Sequence, residues 1–266
     1  MKFEYKETSD DLMKRIDIHN RFGGRDIDQW MLDLLDCQKG ISILDIGCGA
    51  GKLCFSFYTY LAADCEITGV DVSTELLEKA RLESKARNAN IKFDVMDFNK
   101  PFAFEDNRFD LVTCSFAIYY AENIPFTISE MRRVLKPGGR LFTSGPMPEN
   151  KKIFYEIIHK AVDKPIPPMP GSSRYGSEIL DEIKKQFSSV KVDFFENPLT
   201  FETADPFVDY TRASLSEDRK LWRNFFEGEE SFQDIMNSIE KVAQEEARKS
   251  GKIVMTKVVG GFVAVK

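Results

Sequence analysis

The stretch ISILDIGCGAG, residues 41–51, sets the strongest limit on what this chain can fold into. Its first half is apolar on both faces, as in a strand buried on both sides in a parallel sheet covered by helices. Its second half is glycine-rich, and Leu53, Phe57 and Leu61 then recur at helical spacing. A buried strand that glycines turn directly into a helix is the repeating unit of α/β architecture. The alternation continues with EITGVDV as the next strand. Ser73 stands at the N-cap of the following helix, with Glu75 and Glu78 early and Lys79, Arg81, Lys85 and Arg87 late, as the helix dipole favours. IKFDVMDF and FDLVTCSF read as strands, Ile124–Leu135 as a helix with Pro125 in its first turn, and RLFTSG as a fifth strand after the stop Lys136-Pro137-Gly138-Gly139. The fold class expected is therefore α/β, a doubly wound, mostly parallel sheet.

Around this core the pattern is less regular. DLMKRIDIHNRFGGRDIDQWMLDLL carries Leu12 and Ile16, then Ile27, Met31 and Leu34, which predicts two helical pieces parted by Gly23-Gly24. Lys151–Val162 reads as a helix, DKPIPPMPGSSRYG as a stiff loop, Ser177–Phe187 as a capped helix and VKVDFF as a strand. Residues 204–250 read as helical and stop at Gly251, and KIVMTKVVGGFVAVK is β-rich but interrupted by Gly260-Gly261. No linker marks a second domain. The expectation is one domain over 1–266, with a core at 40–146 and helical insertions at 147–187 and 202–250 forming a lid. The second insertion carries Phe207, Tyr210, Trp222, Phe225 and Phe226; most would pack the helices, and a minority would line an acceptor cavity opening onto Ser115, Tyr119 and Tyr120.

Composition narrows the classes of function. With 37 basic and 43 acidic residues the net charge is −6, a poor match for a phosphate backbone, so nucleic-acid binding is not expected. The five cysteines include no CxxC pair and there are only two histidines, which argues against a zinc cluster and for reduced thiols in the cytosol. The N-terminus is charged and no run approaches the ~18 apolar residues of a membrane span, so a cytoplasmic protein without a membrane span is expected.

The chemistry concentrates at the ends of the expected strands. In Asp45-Ile46-Gly47-Cys48-Gly49-Ala50-Gly51 the glycines allow a sharp turn and let a ligand lie on the backbone beside a helix N-terminus. A dinucleotide fingerprint would read GxGxxG; here the third glycine comes one residue early. An acid two residues before the first glycine suits a cationic amino-acid ligand better than a diphosphate. A plain glycine-rich turn is the structural alternative. Asp71, twenty residues beyond Gly51 and at a strand end, is placed to accept both hydroxyls of a ribose; its structural alternative is to cap the next helix. Asp97 would accept an amino group of a base, Phe98 would flank the base, and Ser115-Phe116 closes the fourth strand.

In order, LDIGCGAG, GVDVS, DVMDF, FDLVTCSFAI and EMRRVLKPGGRL resemble the successive motifs of class I S-adenosylmethionine-dependent methyltransferases, over residues ~40–146. Within that superfamily the FDLV…LKPGG pairing looks most like the ubiquinone/menaquinone C-methyltransferase-like (methyltransferase type 11) branch. The resemblance implies a Rossmann-like seven-stranded sheet with an antiparallel last strand, VKVDFF and GGFVAV being the sixth and seventh. It also implies S-adenosyl-L-methionine as cofactor, S-adenosyl-L-homocysteine as product and a small-molecule acceptor. Carried over by position, Gly47, Cys48, Gly49 and Gly51 would line the methionine half and Asp45 would lie near its ammonium. Asp71 would hold the ribose with Val72 against the adenine. Asp97 and Phe98 would take the adenine edge and face, and Ser115 the methionine end. Arg21 or Arg25 would pair with the carboxylate.

A sulfonium-borne methyl group is already activated, so a general base is optional. His19 and His159 are the only histidines, and both read first as structural residues. His19, Tyr119 and Tyr120 are the acceptor-side candidates, and no metal set is visible. No NPPY-like tetrapeptide follows the fourth strand and no Pro-Cys nucleophile is present, which argues against base-amino, glutamine and DNA-cytosine methylation. A non-catalytic cofactor-binding protein and, further off, a nicotinamide-dependent oxidoreductase are the rival readings.

Overall fold

A computed structural model describes residues 9–163, 170–218 and 229–266. The chain divides into two compact units, a sheet unit (Asp26–Pro148, Pro170–Phe195 and Val259–Lys266) and a helical unit (the described parts of Met1–Arg25, Glu149–Met169 and Glu196–Val258). The described residues of the span 147–187 fall in both units, 149–163 in the helical one and 147–148 and 170–187 in the sheet one. Trp222, Phe225, Phe226 and Pro165 lie outside the described residues.

In chain order the elements are α1 (Ser9–Phe22), α2 (Ile27–Leu35), β1 (Ile41–Ile46), α3 (Lys52–Tyr60), β2 (Cys65–Asp71), α4 (Thr74–Ala86), β3 (Ile91–Val95) and β4 (Phe109–Ser115). After a 3-10 turn (Ile118–Tyr120) come α5 (Ile124–Val134), β5 (Leu135–Pro146), α6 (Lys152–Val162), α7 (Pro170–Arg174), a π turn (Tyr175–Ile179) and α8 (Leu180–Gln186). β6 (Ser189–Phe201), α9 (Asp205–Asp218), α10 (Glu229–Ser250) and β7 (Ile253–Val265) complete the chain.

The seven strands form one sheet in the order β3-β2-β1-β4-β5-β7-β6. β1 to β5 pair parallel and β7 runs antiparallel to β5, so the expected α/β fold and its antiparallel last strand are both present. On one face Leu35, Phe57 and Leu77 from α2, α3 and α4 close over Ile43, Ile67 and Leu111. Helix boundaries follow the local chemistry. Ser73 caps α4 by accepting the Leu76 N–H, and Asn123 caps α5 by accepting the Phe126 N–H.

Three expectations are corrected. Lys136-Pro137-Gly138-Gly139 ends α5 but does not precede the fifth strand; β5 begins at Leu135 and includes it. The helix read from Ser177 starts at Pro170, and Ser177 is no cap: it sits in the π turn, its hydroxyl bonded to the Ser173 carbonyl. Gly260-Gly261 does not interrupt β7; the pair continues the ladder to β5. The glycines are there for approach, since a Cβ at Gly261 would fall 2.7 Å from the Trp30 ring. The helical unit has its own core, with Phe154, Phe201, Phe207, Tyr210, Met236 and Ile239 fully buried. Phe207 and Tyr210 therefore serve that core. Among the described residues, no helix is long and apolar enough to cross a membrane.

Candidate active site

The carboxyl ends of β3, β2, β1 and β4 stand side by side in the sheet, and the expected residues of the sheet unit gather there. Leaving β1, the chain turns through Gly47, Gly49 and Gly51 with φ of 69°, 55° and 80°, all in the left-handed region that favours glycine. The N–H groups of Gly47 and Cys48 both donate to the Val70 carbonyl, at 2.8 and 3.0 Å. Gly49 N–H donates to Asp71 Oδ2 at 2.9 Å, so β1's loop is stapled to the end of β2. A Cβ at Gly47 would lie 2.5 Å from that of Ala117, whereas at Gly49 the nearest atom is Leu76 Cδ1 at 3.9 Å. The loop is thus closely packed at Gly47, whereas at Gly49 a Cβ would meet only ordinary van der Waals contact. α3 begins at once, with no side-chain cap on its first N–H groups.

Asp45 lies under this loop, 2% exposed. Its carboxylate accepts from Thr113 Oγ1 at 2.6 Å and from Cys54 Sγ at 3.3 Å. Burial pushes its pKa up to about 6, the two hydrogen bonds oppose the rise, and the charge of Asp71 adds to it. Among the described residues no lysine or arginine forms an ion pair with it. Cys48, Cys54 and Cys114 are buried thiols whose pKa values are all raised, Cys54 and Cys114 well above the usual range, which favours the neutral thiol.

Asp71 uses one oxygen for Gly49 and the other for the Ser73 N–H at 2.8 Å. A carboxylate has about four lone-pair sites, so acceptor capacity remains. Val72 beside it is 69% exposed, an apolar side chain with a face to offer. Asp97 accepts the Asn99 N–H at 3.0 Å and has Lys100 Nζ 3.6 Å away. Phe98 is half-buried, its carbonyl accepting from Thr127 Oγ1 at 3.2 Å.

At the end of β4, Ser115 Oγ lies 3.7 Å from Met31 Sδ, and Ser144 Oγ on β5 approaches the same sulfur at 3.8 Å. Phe116 follows with a φ of 55°, costly backbone for a non-glycine residue at the mouth of the site. Tyr119 is buried and Tyr120 half-buried, their ring centroids 4.7 Å apart. Arg174 holds their turn by donating to the carbonyls of Tyr119 and Ala121 at 2.7 and 3.1 Å. Sequence reasoning passed over Thr113, Met31 and Arg174. A threonine inside a buried strand was the only one of the three to leave a signal.

The remaining candidates belong to the helical unit. His19 is half-buried and meets the Tyr210 ring edge-on at 5.5 Å. Arg21 is exposed and paired with Asp17 at 3.3 Å, Arg25 donates to the Glu196 carbonyl at 2.9 Å, and His159 is exposed on α6.

Residues 37–190, more than half the chain, match the family described as methyltransferase domain. The chain belongs to that family. A demethylmenaquinone methyltransferase from Staphylococcus aureus (strain MRSA252) is 35% identical over 131 residues, 47% of this chain and 52% of the relative. The chain therefore spans about half the length of the curated relatives it matches. Among solved structures, the YcgJ protein from Bacillus subtilis aligns with a TM-score of 0.59 at 18% identity, covering 90% of this chain and 97% of the other. A putative methyltransferase from Bacillus halodurans C-125 aligns at 0.58 and 19%, covering 90% and 98%. At such identities the likeness speaks for the Rossmann-like fold alone.

For this methyltransferase-family chain the implied cofactor is S-adenosylmethionine, and the residues present fit it. Gly49, where a Cβ would meet its nearest atom only at 3.9 Å, leaves more room against the backbone than Gly47 does. Asp45 is a buried acid with hydroxyl and thiol donors but no cation, and the cofactor is cationic. Asp71 keeps lone pairs for vicinal hydroxyls and Val72 an apolar face for a ring.

Proposed function

We propose that this chain transfers a methyl group from S-adenosylmethionine to a small-molecule acceptor, at an oxygen, nitrogen or carbon nucleophile, in the cytoplasm. The observation that carries the reading is the cradle at the carboxyl ends of β1 and β2: the glycine loop, loosely packed at Gly49 and stapled to Asp71, next to a buried Asp45 without a cation. When bound, the cofactor supplies an activated methyl group on a sulfonium. The chain's own residues bind and orient. Gly47, Cys48, Gly49 and Gly51 would line the amino-acid half, with Asp45 answering its positive charge through the loop. Asp71 would accept the ribose hydroxyls, Val72 and Phe98 would flank the base, and Asp97 would accept its amino group. Ser115 would border the methionine end, and Tyr119 and Tyr120 would present the acceptor. Holding nucleophile, carbon and sulfur in line can supply ~7–11 kcal/mol of the barrier without a charged base. The family match and the demethylmenaquinone methyltransferase relative support this reading, and the −6 net charge supports a small acceptor over a nucleic acid.

A thermal-shift panel of S-adenosylhomocysteine, NAD and NADP, followed by turnover of S-adenosylmethionine against a metabolite library, tests it. Stabilisation by S-adenosylhomocysteine and methylation of a library member are expected. Stabilisation by a nicotinamide nucleotide alone would overturn the reading, and cofactor binding without any turnover would leave a non-catalytic binding protein.

A further inference from the structure

β6 is the last strand of the sheet in the described structure, parted from β1 by β4, β5 and β7 and so remote from the glycine loop. A free sheet edge exposes unpaired N–H and C=O groups, and soluble proteins blunt such edges with short strands, bulges, prolines, charged side chains or cover by another element. In β6 the proline, Pro198, lies beyond the portion in the sheet unit, Ser189 to Phe195, where the exposed Lys191 is the protective feature. That portion is seven residues of regular strand without proline, and Phe194 on it is 51% exposed. Side chains alternate along a strand, so Val190, Val192 and Phe194 share one face, with both valines half-buried. Lys191 and Asp193 share the other; Lys191 is exposed, and Asp193 gives one oxygen to Trp30 Nε1 at 2.9 Å, leaving the second.

We propose that this edge is a homodimer interface, in which the β6 edges of two copies pair antiparallel about a two-fold axis beside Val192. Charge selects the register. In a two-fold antiparallel pair one residue faces its own copy, and its neighbours face each other reciprocally. Centring on Lys191 would oppose two lysines, and centring on Asp193 two aspartates. Centring on Val192 puts Lys191 opposite Asp193 of the other copy, twice, on one face. On the other face it sets Val190 against Phe194 of the other copy, twice, around a Val192–Val192 contact, covering the exposed ring. One register thus satisfies charge, apolar cover and backbone edge together. The pairing does not depend on what the enzyme methylates.

Sedimentation velocity over a dilution series tests it. The wild type is expected to dimerise reversibly. Lys191→Glu opposes two acids twice and should weaken dimerisation by about tenfold or more, as should Asp193→Lys for the converse reason. The double variant K191E/D193K reverses both pairs and should regain dimerisation. Because Asp193→Lys also gives up the Trp30 bond, Phe194→Asn serves as an independent variant, with weakening again expected. S-adenosylhomocysteine-induced thermal shifts of every variant should match wild type. A wild type that stays monomeric at the highest concentration, or a dimer indifferent to K191E and F194N, would overturn the proposal.

Discussion

The paired strands β1 and β4 carry an aspartate–hydroxyl bond at each end, and the two ends are treated oppositely. At the amino end Asp110 accepts from Ser42 Oγ at 2.6 Å, and at the carboxyl end Asp45 accepts from Thr113 Oγ1, also at 2.6 Å. Asp110 further accepts the Ser42 N–H at 2.9 Å and pairs with Lys136 Nζ at 2.8 Å. Partial burial works against its charge, but Lys136 and Ser42 outweigh it and hold the carboxyl below the usual range. Asp45 is fully enclosed and has only neutral donors, so burial wins and its pKa stands at about 6. The same residue type with the same neutral partner is a finished structural pair where a lysine is supplied and an incomplete one where none is. On the proposed reading, the acid left without a cation beside a glycine loop is the one that would answer a ligand's charge.

The largest expected effect tests whether the carboxyl end is a binding end at all. Asp71→Ala removes a charge-assisted acceptor of ~1.5–3 kcal/mol and should cost roughly ten- to a hundredfold in S-adenosylhomocysteine affinity by calorimetry. Because Asp71 also braces Gly49 and Ser73, some loss of thermal stability should accompany it. Unchanged affinity would take Asp71 out of the site.

A smaller effect sharpens the contrast between the two aspartates. Asp45→Asn should lower cofactor affinity by about tenfold at pH 8 while leaving the free protein's Tm within about 3 °C of wild type or above it, since a buried charge is removed. The sign follows from linkage. A carboxyl whose folded pKa is raised is penalised only when ionised, so its destabilisation is absent below about pH 4 and complete above about 6. A bound cation favours the ionised form, so binding expels a proton near pH 6, and wild-type affinity should be level above 7 and fall below 6. In Asp45→Asn that pH dependence should vanish; its persistence would assign it to another group.

Much of this was legible in the chain itself. The alternation over 41–146, Ser73 as a cap and Ile124 as a helix start all rest on local chemistry, and β1 to β4, α4 and α5 begin within a residue of where that chemistry puts them. β5 instead begins at Leu135 and takes in the glycines read as a stop before it. What escaped is what distant residues decide. Gly260-Gly261 looks like a break until Trp30 and Met147 arrive from elsewhere to occupy the space a side chain would need. Ser177 looks like a cap because nothing nearby shows that the helix has already begun at Pro170. Asp45 and Asp110 look alike, each inside an apolar strand, and Lys136 reads only as part of the helix stop LKPGG. Twenty-six residues separate it from the acid it neutralises.

The smallest expected effect falls on that lysine. Lys136→Met removes the ammonium from Asp110 but leaves both Ser42 donors in place. Both partners of the pair are more than a third exposed or close to it, so water takes over much of the lost interaction and the cost should stay within ~1 kcal/mol, or roughly 2–4 °C in Tm. The loss also has a pH signature. A carboxyl held below its usual range stabilises the fold above its unfolded pKa, and that contribution is lost as pH falls through the folded one. The Tm gap between wild type and Lys136→Met should therefore be open at pH 7 and close towards pH 3. Affinity for S-adenosylhomocysteine should not change, because Lys136 and Asp110 lie at the opposite strand ends from Gly49 and Asp71. A Lys136→Met variant with wild-type stability but weakened cofactor binding would break the division between a structural end and a binding end.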